Sequence, residues 1–296
     1  AAYDLDAGDV VHEDTGTYDL IRNVVLTSED SGVRIEGPTL AGHAAVLNRG
    51  NTSSGSYAIE FAGGDEVTVD HLAVTGGEHG IYVGNTSEDA LVSSCVAFGN
   101  GRFGLAVSNA VRARVVGSEA YNNGERGIDA DGTGSWADRV VLEGNEIHDH
   151  AYGGIDGYYR VEVVQNRVYR SGSSSAGIYL SSGAVARGNE VFDNQHGIDA
   201  SGGEVLENRV YHNADLGISG ASDAVLRGNV VYGNSVGIVA RWGAEVRNNL
   251  VYGNSNQGIR IISRWIEVVN NTVYQPVGNA VRVESTDATL RNNVLW

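Results

Sequence analysis

The sequence predicts an all-β fold, a single-stranded right-handed parallel β-helix of about ten coils. Short apolar strands recur with a period of about 22 residues, and a polar residue, most often Asn, holds the same position in each period. The composition agrees, because 41 Gly and only 2 Pro among 296 residues suit many tight corners between short strands. A coil of this length that winds through several short strands is typical of a β-solenoid.

The Asn repeat is clearest in the C-terminal half. Asn208, Asn229, Asn249 and Asn271 each open an Asn-x-Val-Tyr segment, with steps of 21, 20 and 22 residues. The same column continues through His71, Cys95, Ser118, Asn145, Asn166, Asn189 and Asn293. Stacked coils place equivalent residues about 4.8 Å apart, so the Asn side chains can hydrogen-bond along the stack. The Asn and Tyr columns are therefore predicted to be structural.

Apolar residues keep a fixed distance from this column and predict the core. One lies three residues before the later Asn positions, as at Val163, and another lies two residues after them, as at Val168. A second strand opens with Gly-Ile at 80–81, 127–128, 154–155, 177–178, 197–198, 217–218, 237–238 and 258–259. A leucine-rich repeat also carries an Asn ladder, but its fixed Leu spacing and helical segment are not found here.

The repeat predicts one domain over residues 1–296, with entry or capping coils at 1–51 and regular coils at 52–296. The chain begins at Ala1 without Met, which favours a mature protein or an excised piece of a longer one. Unpaired strands at the ends of a solenoid can pair with another copy, so we expect end-to-end self-association at the end that carries Trp296.

Charge and cysteine content exclude several functions. A formal net charge of −17 repels phosphate backbones, so nucleic acid is not an expected partner. The sequence has no stretch of 18 apolar residues, and membrane insertion is not expected. Cys95 is the single cysteine, so no internal disulfide can form.

The repeat is broken at one coil. The step from Gly127 to Gly154 is 27 residues, the longest between Gly-Ile pairs, and it contains an inserted segment from Asp129 to Trp136. The same coil has His148 at the aromatic position and His150 where other coils have Asn. In a repeat protein such departures leave room for function, although each His is also interpretable as a substitute within its ladder.

Strand alternation places a set of polar residues on one outer face. The residues that follow the inward Ile should form one exposed column, Asp129, Asp156, Tyr179 and Asp199. Asp131 and Tyr158 lie two residues further on, in a second column. The predicted substrate-binding residues are Asp199 and, on later coils, Arg241, Trp242, Arg260 and Arg282. The face is predicted to change from acidic to basic along the coils.

Carboxylates on adjacent coils repel one another unless a proton, a cation or a substrate compensates them. This predicts a site, and Asp129, Asp131 and Asp156 supply the hard oxygen ligands that calcium prefers. Zinc is not expected, because neither a Cys pair nor a His-x₃-His spacing is present. The alternative interpretation is that these Asp residues only solvate the surface of an acidic protein.

The Asn-x-Val-Tyr and Gly-Ile repeats, together with the opening segment Ala7-Gly-Asp-Val-Val-His-Glu-Asp-Thr-Gly-Thr-Tyr18, resemble pectin-lyase-like β-helix proteins. That group includes polysaccharide lyases, polygalacturonases and mannuronan C5-epimerases. The resemblance implies a secreted or cell-surface protein whose partner is a polysaccharide, with an acidic glycan favoured.

The epimerase active-site pattern Tyr-Gly-Phe-Asp-Pro-His resembles Arg126-Gly-Ile-Asp-Ala-Asp131, with Asp156 following 27 residues after Asp129. Only the Gly-apolar-Asp core matches, so the family's base and acid do not transfer and Tyr158 would have to substitute. The predicted catalytic residues are Asp129, Asp156, Tyr158 and Tyr179. Uronan lyase or C5-epimerase activity is the first hypothesis and glycoside hydrolysis the second. A non-catalytic glycan-binding or spacer solenoid of a larger surface protein stays open.

Overall fold

Short strands joined by polar turns make up the computed structural model, which describes residues 5–84, 86–135, 137–172 and 175–296. One helical element occurs in these ranges, a 3-10 turn at Ser28–Asp30. The prediction of an all-β fold is therefore confirmed. In the same ranges no helix is long and apolar enough to cross a bilayer. Trp136 of the inserted segment lies outside the described residues.

The chain divides into two compact units, Ala1–Ala151 and Tyr152–Trp296. The strands of the first unit are β1 (Val10–His12), β2 (Gly16–Asp19), β3 (Val24–Thr27), β4 (Arg34–Glu36), β5 (Ala45–Asn48), β6 (Tyr57–Ala62), β7 (Thr68–Asp70), β8 (Leu72–Thr75), β9 (His79–Val83), β10 (Leu91–Ser93), β11 (Val96–Phe98), β12 (Phe103–Ser108), β13 (Arg114–Val116), β14 (Glu119–Tyr121), β15 (Arg126–Asp131), β16 (Val141–Glu143) and β17 (Glu146–His148).

The strands of the second unit are β18 (Gly153–Tyr158), β19 (Glu162–Val164), β20 (Arg167–Tyr169), β21 (Ala176–Ser181), β22 (Val185–Arg187), β23 (Glu190–Phe192), β24 (His196–Ser201), β25 (Glu204–Leu206), β26 (Arg209–Tyr211), β27 (Leu216–Ala221), β28 (Val225–Arg227), β29 (Val230–Tyr232), β30 (Val236–Ala240), β31 (Glu245–Arg247), β32 (Leu250–Tyr252), β33 (Gln257–Ile261), β34 (Ile266–Val269), β35 (Thr272–Tyr274), β36 (Asn279–Val283), β37 (Ala288–Arg291) and β38 (Val294–Leu295).

Within each unit these strands form three parallel sheets. In the first unit, sheet A holds β1, β4, β7, β10, β13 and β16, sheet B holds β2, β5, β8, β11, β14 and β17, and sheet C holds β3, β6, β9, β12 and β15. In the second unit, sheet A runs through every third strand from β19 to β37, sheet B from β20 to β38, and sheet C from β18 to β36. Each full coil gives one strand to each sheet, which is the architecture of a parallel β-helix.

The number of coils is larger than predicted. Sheet A contains six strands in the first unit and seven in the second, so the described residues form thirteen coils rather than about ten. The eleven column positions identified in the sequence leave out two coils near the N-terminus, which have Gly16 and Ala45 at the Asn position. Neither residue has the polar side chain that marks this position in other coils, so the two coils could not be counted from the sequence.

One member of the predicted column was also wrong. The pairing of Val96 with Ala73 sets Cys95 opposite Leu72, so Leu72, not His71, occupies the column. His71 has a φ of 55°, and Ser94, which precedes Cys95, has a φ of 51°. His71 thus belongs to the left-handed corner that precedes each column residue.

The predicted core is confirmed. The apolar residues on both sides of the Asn column, such as Val163 and Val168, have no exposed surface, and neither does Ile178 of a Gly-Ile pair. The last coil differs, because Leu295 is 46% exposed and Trp296 is 74% exposed. Self-association through these residues stays a prediction.

The Asn column forms a continuous hydrogen-bonded ladder in the second unit. The Asn208 amide nitrogen donates to the Oδ1 atom of Asn229 at 3.1 Å and to the carbonyl of Ala186 at 3.0 Å. The Oδ1 atom of Asn208 accepts from the backbone and side-chain nitrogens of Asn189, both at 2.9 Å. Each buried amide therefore satisfies the backbone of a corner while it ties two coils together.

The aromatic column stacks as predicted. In the second unit, Tyr211 lies with its ring centroid 5.0 Å from those of both Phe192 and Tyr232, and the planes are within 4° of parallel. Rings stacked in this way cover one another's faces and leave mainly their edges for solvent. The column is thus a structural ladder and not a surface on which a sugar ring can stack.

Candidate functional site

Sheet C of the second unit carries most of the predicted site residues. Asp156 on β18 pairs with Tyr179 on β21, and Tyr179 pairs with Asp199 on β24. Paired residues on neighbouring parallel strands point to the same face, about 4.8 Å apart. Asp156, Tyr158, Tyr179 and Asp199 are called the acid–tyrosine cluster below.

Asp156 is buried, which differs from the exposed position predicted for it. It is only 2% exposed, and its Oδ2 atom accepts a hydrogen bond of 3.0 Å from the hydroxyl of Tyr158. Tyr158 is two residues further along the same strand and is partly exposed. The tyrosine therefore stands between the buried carboxylate and the solvent.

Tyr179 lies beside Tyr158, with 5.7 Å between the ring centroids and the planes tilted by 56°. Burial raises the pKa of the Tyr179 hydroxyl above its usual value, and the negative charges of Asp199 and Asp156 raise this pKa further. Each cause disfavours the phenolate. Tyr179 is consequently protonated at neutral pH and is able to donate a proton.

His196 is a candidate that the sequence interpretation missed. It begins β24, three residues before Asp199, and both side chains are partly exposed while Gly197 and Ile198 between them are buried. The Nδ1 atom of His196 lies 3.8 Å from Oδ2 of Asp215. The local sequence His-Gly-Ile-Asp, with a titratable residue on each side of the Gly-Ile pair, was the signal that could have found it.

Beyond Asp199 the same column continues through Ser219, Val239, Arg260 and Arg282. Ser219 and Val239 are each only 2% exposed. Within the second unit the column thus passes from acidic side chains, across a buried and uncharged stretch, to two arginines.

The arginines share an acidic partner. Both Nε and Nη2 of Arg260 donate to the carboxylate of Glu284 at 3.1 Å, and Nε of Arg282 lies 2.7 Å from the same carboxylate. The hydrogen bonds from Arg260 and the charges of both arginines lower the pKa of Glu284. The sequence interpretation had left this carboxylate out, although Glu284 follows Arg282 by two residues on one strand face.

Arg241 and Trp242 follow directly after β30. Arg241 is partly exposed, and Trp242 is 58% exposed. Arg241, Arg260 and Arg282 together with Trp242 are called the arginine patch. The patch brings three guanidinium groups to one face, and two of them pair with Glu284.

Asp129 and Asp131 lie on the corresponding sheet of the first unit. On β15 they pair with Ala106 and Ser108 of β12, and both are partly exposed. Burial raises the pKa of Asp131, because removal from water disfavours the charged form. These two predicted residues therefore share one strand and one face.

Calcium binding by Asp129, Asp131 and Asp156 stays a prediction. In the parts of the chain that the structure describes, no group of three or more His, Cys, Asp or Glu side chains is placed to hold a metal ion. No step of a reaction is therefore assigned to a metal.

His148 and His150 are ladder members. The Asn123 backbone N–H donates to Nδ1 of His150 at 3.3 Å, as the Asn100 backbone N–H donates to Oδ1 of Asn123 at 3.0 Å. Nε2 of His150 lies 3.0 Å from the carbonyl of Ala120 and is the donor, because Nδ1 already accepts. His148 stacks on Tyr121 with 5.5 Å between centroids. The structural interpretation of His148 is confirmed.

Solved structures of polysaccharide-active proteins share this architecture. The Azotobacter vinelandii mannuronan C-5 epimerase AlgE4 A-module is 14% identical, with a TM-score of 0.62 over 99% of this chain and 93% of that one. The AlgE6 A-module from the same organism is 13% identical, with a TM-score of 0.65 over 97% of this chain and 91% of that one. Pectate lyase Pel9A is 15% identical, with a TM-score of 0.61 over 98% and 72% of the two chains.

At these identities the likeness establishes the fold alone. No curated protein matches the sequence. The family described as the right-handed β-helix region matches residues 8–138 and 136–247, which is well over half of the chain. This protein belongs to the right-handed β-helix family.

Proposed function

We propose that this protein acts on an acidic polysaccharide as a uronan lyase or C5-epimerase, with the acid–tyrosine cluster as its active site. The observation that carries the proposal is the hydrogen bond from Tyr158 to the buried Asp156, beside a second tyrosine that is held in its protonated form. Both reactions abstract the C5 proton of a uronate, which needs one proton acceptor and one proton donor close together.

The Tyr158–Asp156 pair supplies the acceptor. As the Tyr158 oxygen takes the C5 proton, the phenolic proton passes along the existing 3.0 Å hydrogen bond to the Asp156 carboxylate. The relay leaves no phenolate at Tyr158 beside the Asp156 carboxylate, which would be costly in a partly buried site. Asp156 is thereby a positioning and proton-storing residue, and Tyr158 touches the substrate.

Tyr179 supplies the donor. Its raised pKa keeps the proton in place at neutral pH, and its ring is 5.7 Å from that of Tyr158. In a lyase this proton goes to the leaving O4 as the C4–C5 double bond forms. In an epimerase it goes to C5 from the face opposite to Tyr158, and the C5 configuration is inverted. In both reactions the proton stored on Asp156 then passes to the neighbouring Tyr179, which restores the starting state.

The arginine patch and Asp199 are proposed to bind the chain of the substrate. Neighbouring strands are about 4.8 Å apart, close to the length of one sugar residue, so successive sugars would lie over successive coils. The guanidinium groups pair with uronate carboxylates, and Asp199 accepts hydrogen bonds from sugar hydroxyls. The catalytic role predicted for Asp129 from the sequence stays a prediction, and a calcium ion, if bound, would neutralise the uronate.

The structural neighbours support a polysaccharide substrate. Those described above are named as two mannuronan epimerase modules and a pectate lyase, and another is named as the periplasmic alginate epimerase AlgG. We accordingly propose that this protein also works outside the cytoplasm, in a secreted or cell-surface location.

The proposal is tested with a panel of polymannuronate, polygalacturonate and a neutral glucan, each with calcium or with a chelator. Unsaturated uronate absorbance reports lyase activity, and proton NMR of the recovered polymer reports epimerisation. Wild type should be active on at least one uronan, and the Asp129→Asn, Asp156→Asn double variant should be inactive while it keeps its melting temperature.

A second candidate function is non-catalytic glycan binding, as in a surface or spacer solenoid. The exposed Trp242 of the arginine patch favours it, because an exposed indole can bind a sugar and binding needs no proton transfer. Uronan binding by wild type without turnover of any substrate would select this candidate. Absence of both binding and turnover would leave the acid–tyrosine cluster as solvated surface.

A further inference from the structure

The corners that lead from sheet C to sheet A in the second unit contain left-handed residues. Most of them are small or polar, as expected where φ is positive. Examples are Ser182 at 53°, Gly202 at 72°, Ser222 at 55° and Asp223 at 62°. Gly adopts this conformation without steric cost and Asp at a modest one, while the first of these corners holds the larger Tyr159 and Arg160 at 50° and 67°.

Two of these corners carry tryptophan instead. Trp242 has a φ of 37° and Trp265 a φ of 60°, which is an uncommon conformation for a bulky side chain. Burial does not compensate for this, because Trp242 is 58% exposed and Trp265 is 69% exposed. Folding therefore does not explain the choice of Trp, and an unfavourable backbone conformation with an exposed side chain points to a binding role.

A shallow depression of about 320 Å³ adjoins the first tryptophan and is lined by Trp242, Ile262, Arg264 and Glu284, among others. The Arg264 side chain is 64% exposed, and its Nε atom is 3.8 Å from the nearest Asp287 carboxylate oxygen, beyond hydrogen-bond range. Its guanidinium N–H groups are thus accessible to an anionic ligand beside the indole.

We propose that Trp242, Trp265 and Arg264, called the corner platform, form a glycan-binding site on the turns, separate from the acid–tyrosine cluster. The indole faces stack against the C–H face of a pyranose ring, and Arg264 pairs with a uronate carboxylate. The choice of an acidic glycan as the ligand rests on the proposed function. Binding at the corner platform does not require that the protein be an enzyme. It would hold the polymer while the strand face acts on it.

The test replaces each tryptophan by the residue type that other corners use, giving the Trp242→Ser, Trp265→Asp variant. The probes are short mannuronate and galacturonate oligosaccharides, with an uncharged cello-oligosaccharide for comparison. Calorimetric affinity for the acidic probe should fall about tenfold in the variant, and the melting temperature should stay the same or rise. Arg264→Gln should lower the affinity for the acidic probe towards that for the neutral one, and Trp296→Phe should leave both unchanged.

Unchanged affinity in the double tryptophan variant overturns the corner platform. Loss of self-association in that variant, with no change in sugar affinity, also overturns it and assigns the tryptophans to contacts between copies. The two proposals fail separately. Asp156→Asn should keep tryptophan-dependent binding, and binding without any turnover in wild type would refute the catalytic proposal while it supports the platform.

Discussion

The hydroxyl of Tyr158 donates a 3.0 Å hydrogen bond to the carboxylate of Asp156, which is 2% exposed. A carboxylate buried on the outer face of a sheet is costly unless its hydrogen bonds compensate for the lost water. The hydrogen bond joins a buried proton acceptor to a partly exposed phenol. Residues that only keep a surface in contact with water do not require such a pair.

Removal of the Tyr158 hydroxyl tests this relay. Tyr158→Phe keeps the ring and removes the atom that contacts both substrate and Asp156, so kcat on the active uronan should fall by about a hundredfold or more. KM should change little, because the arginine patch is untouched. The neighbouring Tyr159 is 52% exposed, and Tyr159→Phe is the matched control. Equal kcat values for the two variants would rule out the relay.

Neutralisation of Glu284 should strengthen substrate binding. Glu284 pairs with both Arg260 and Arg282, so Glu284→Gln removes the carboxylate that competes with a uronate for them. We expect several-fold tighter binding of a polyuronate at low salt, with a steeper loss of affinity as salt increases. Affinity equal to or weaker than wild type would place the uronate away from these arginines.

Acid should destabilise the fold through the buried histidines. Burial lowers the pKa of His150 to about 4, whereas the unfolded chain has the ordinary value of 6.5. The unfolded state therefore binds the proton more readily, and stability falls as pH drops from about 6.5 towards 4, by up to about 3 kcal/mol. The pKa of His79 is also lowered to about 4, with the same sign.

His150→Asn isolates the contribution of one group. Asn is the residue at this position in the two preceding coils, where the Oδ1 atom of Asn123 accepts the corresponding backbone N–H bond. Denaturant unfolding at several pH values should show a smaller loss of stability between pH 6.5 and 4 in the variant than in wild type. Identical pH profiles would mean that His150 is not the buried neutral imidazole described here.

The Asn ladder should be sensitive to single substitutions. Asn208→Ala removes the acceptor for the Asn189 backbone N–H and the donor to the Ala186 carbonyl, both buried. At about 1 to 3 kcal/mol for each unsatisfied group, unfolding free energy should fall by roughly 3 kcal/mol. The exposed Asn256 in the same unit supplies the control variant Asn256→Ala, which should be neutral. A neutral result for Asn208→Ala would deny the ladder a role in stability.

The fold was predictable because the residues that stabilise each coil, the corner amides and the apolar core residues, recur at fixed positions in the repeat. An amide such as Asn208 reveals a corner, and the apolar residues at fixed distances from it reveal the core. The first two coils were not countable, since Gly16 and Ala45 have no such side chain. His71 was misplaced by one residue, because a turn residue and a ladder residue look alike in sequence.

The sequence predicted which residues of the candidate site share a strand face, but it did not predict their side-chain contacts. Strand alternation gave the shared face of Asp156, Tyr179 and Asp199, and pairing confirms that register. Alternation predicted neither the burial of Asp156 nor its hydrogen bond from Tyr158, because it does not specify where neighbouring side chains lie. The partnership of Glu284 with two arginines likewise depends on side-chain reach across coils.

The most direct measurement is exchange of the uronate C5 hydrogen with solvent. Lyase and epimerase chemistry both begin with removal of this proton, so the test does not depend on which product forms. Polymannuronate and polygalacturonate are incubated in deuterated buffer with wild type or with Asp156→Asn, and both the polymer and any fragments are analysed by NMR. With wild type the C5 proton signal should be lost, by deuterium uptake or by elimination, and with Asp156→Asn it should remain. Bound uronan that keeps its C5 hydrogen with wild type, or equal loss with the two proteins, would contradict it.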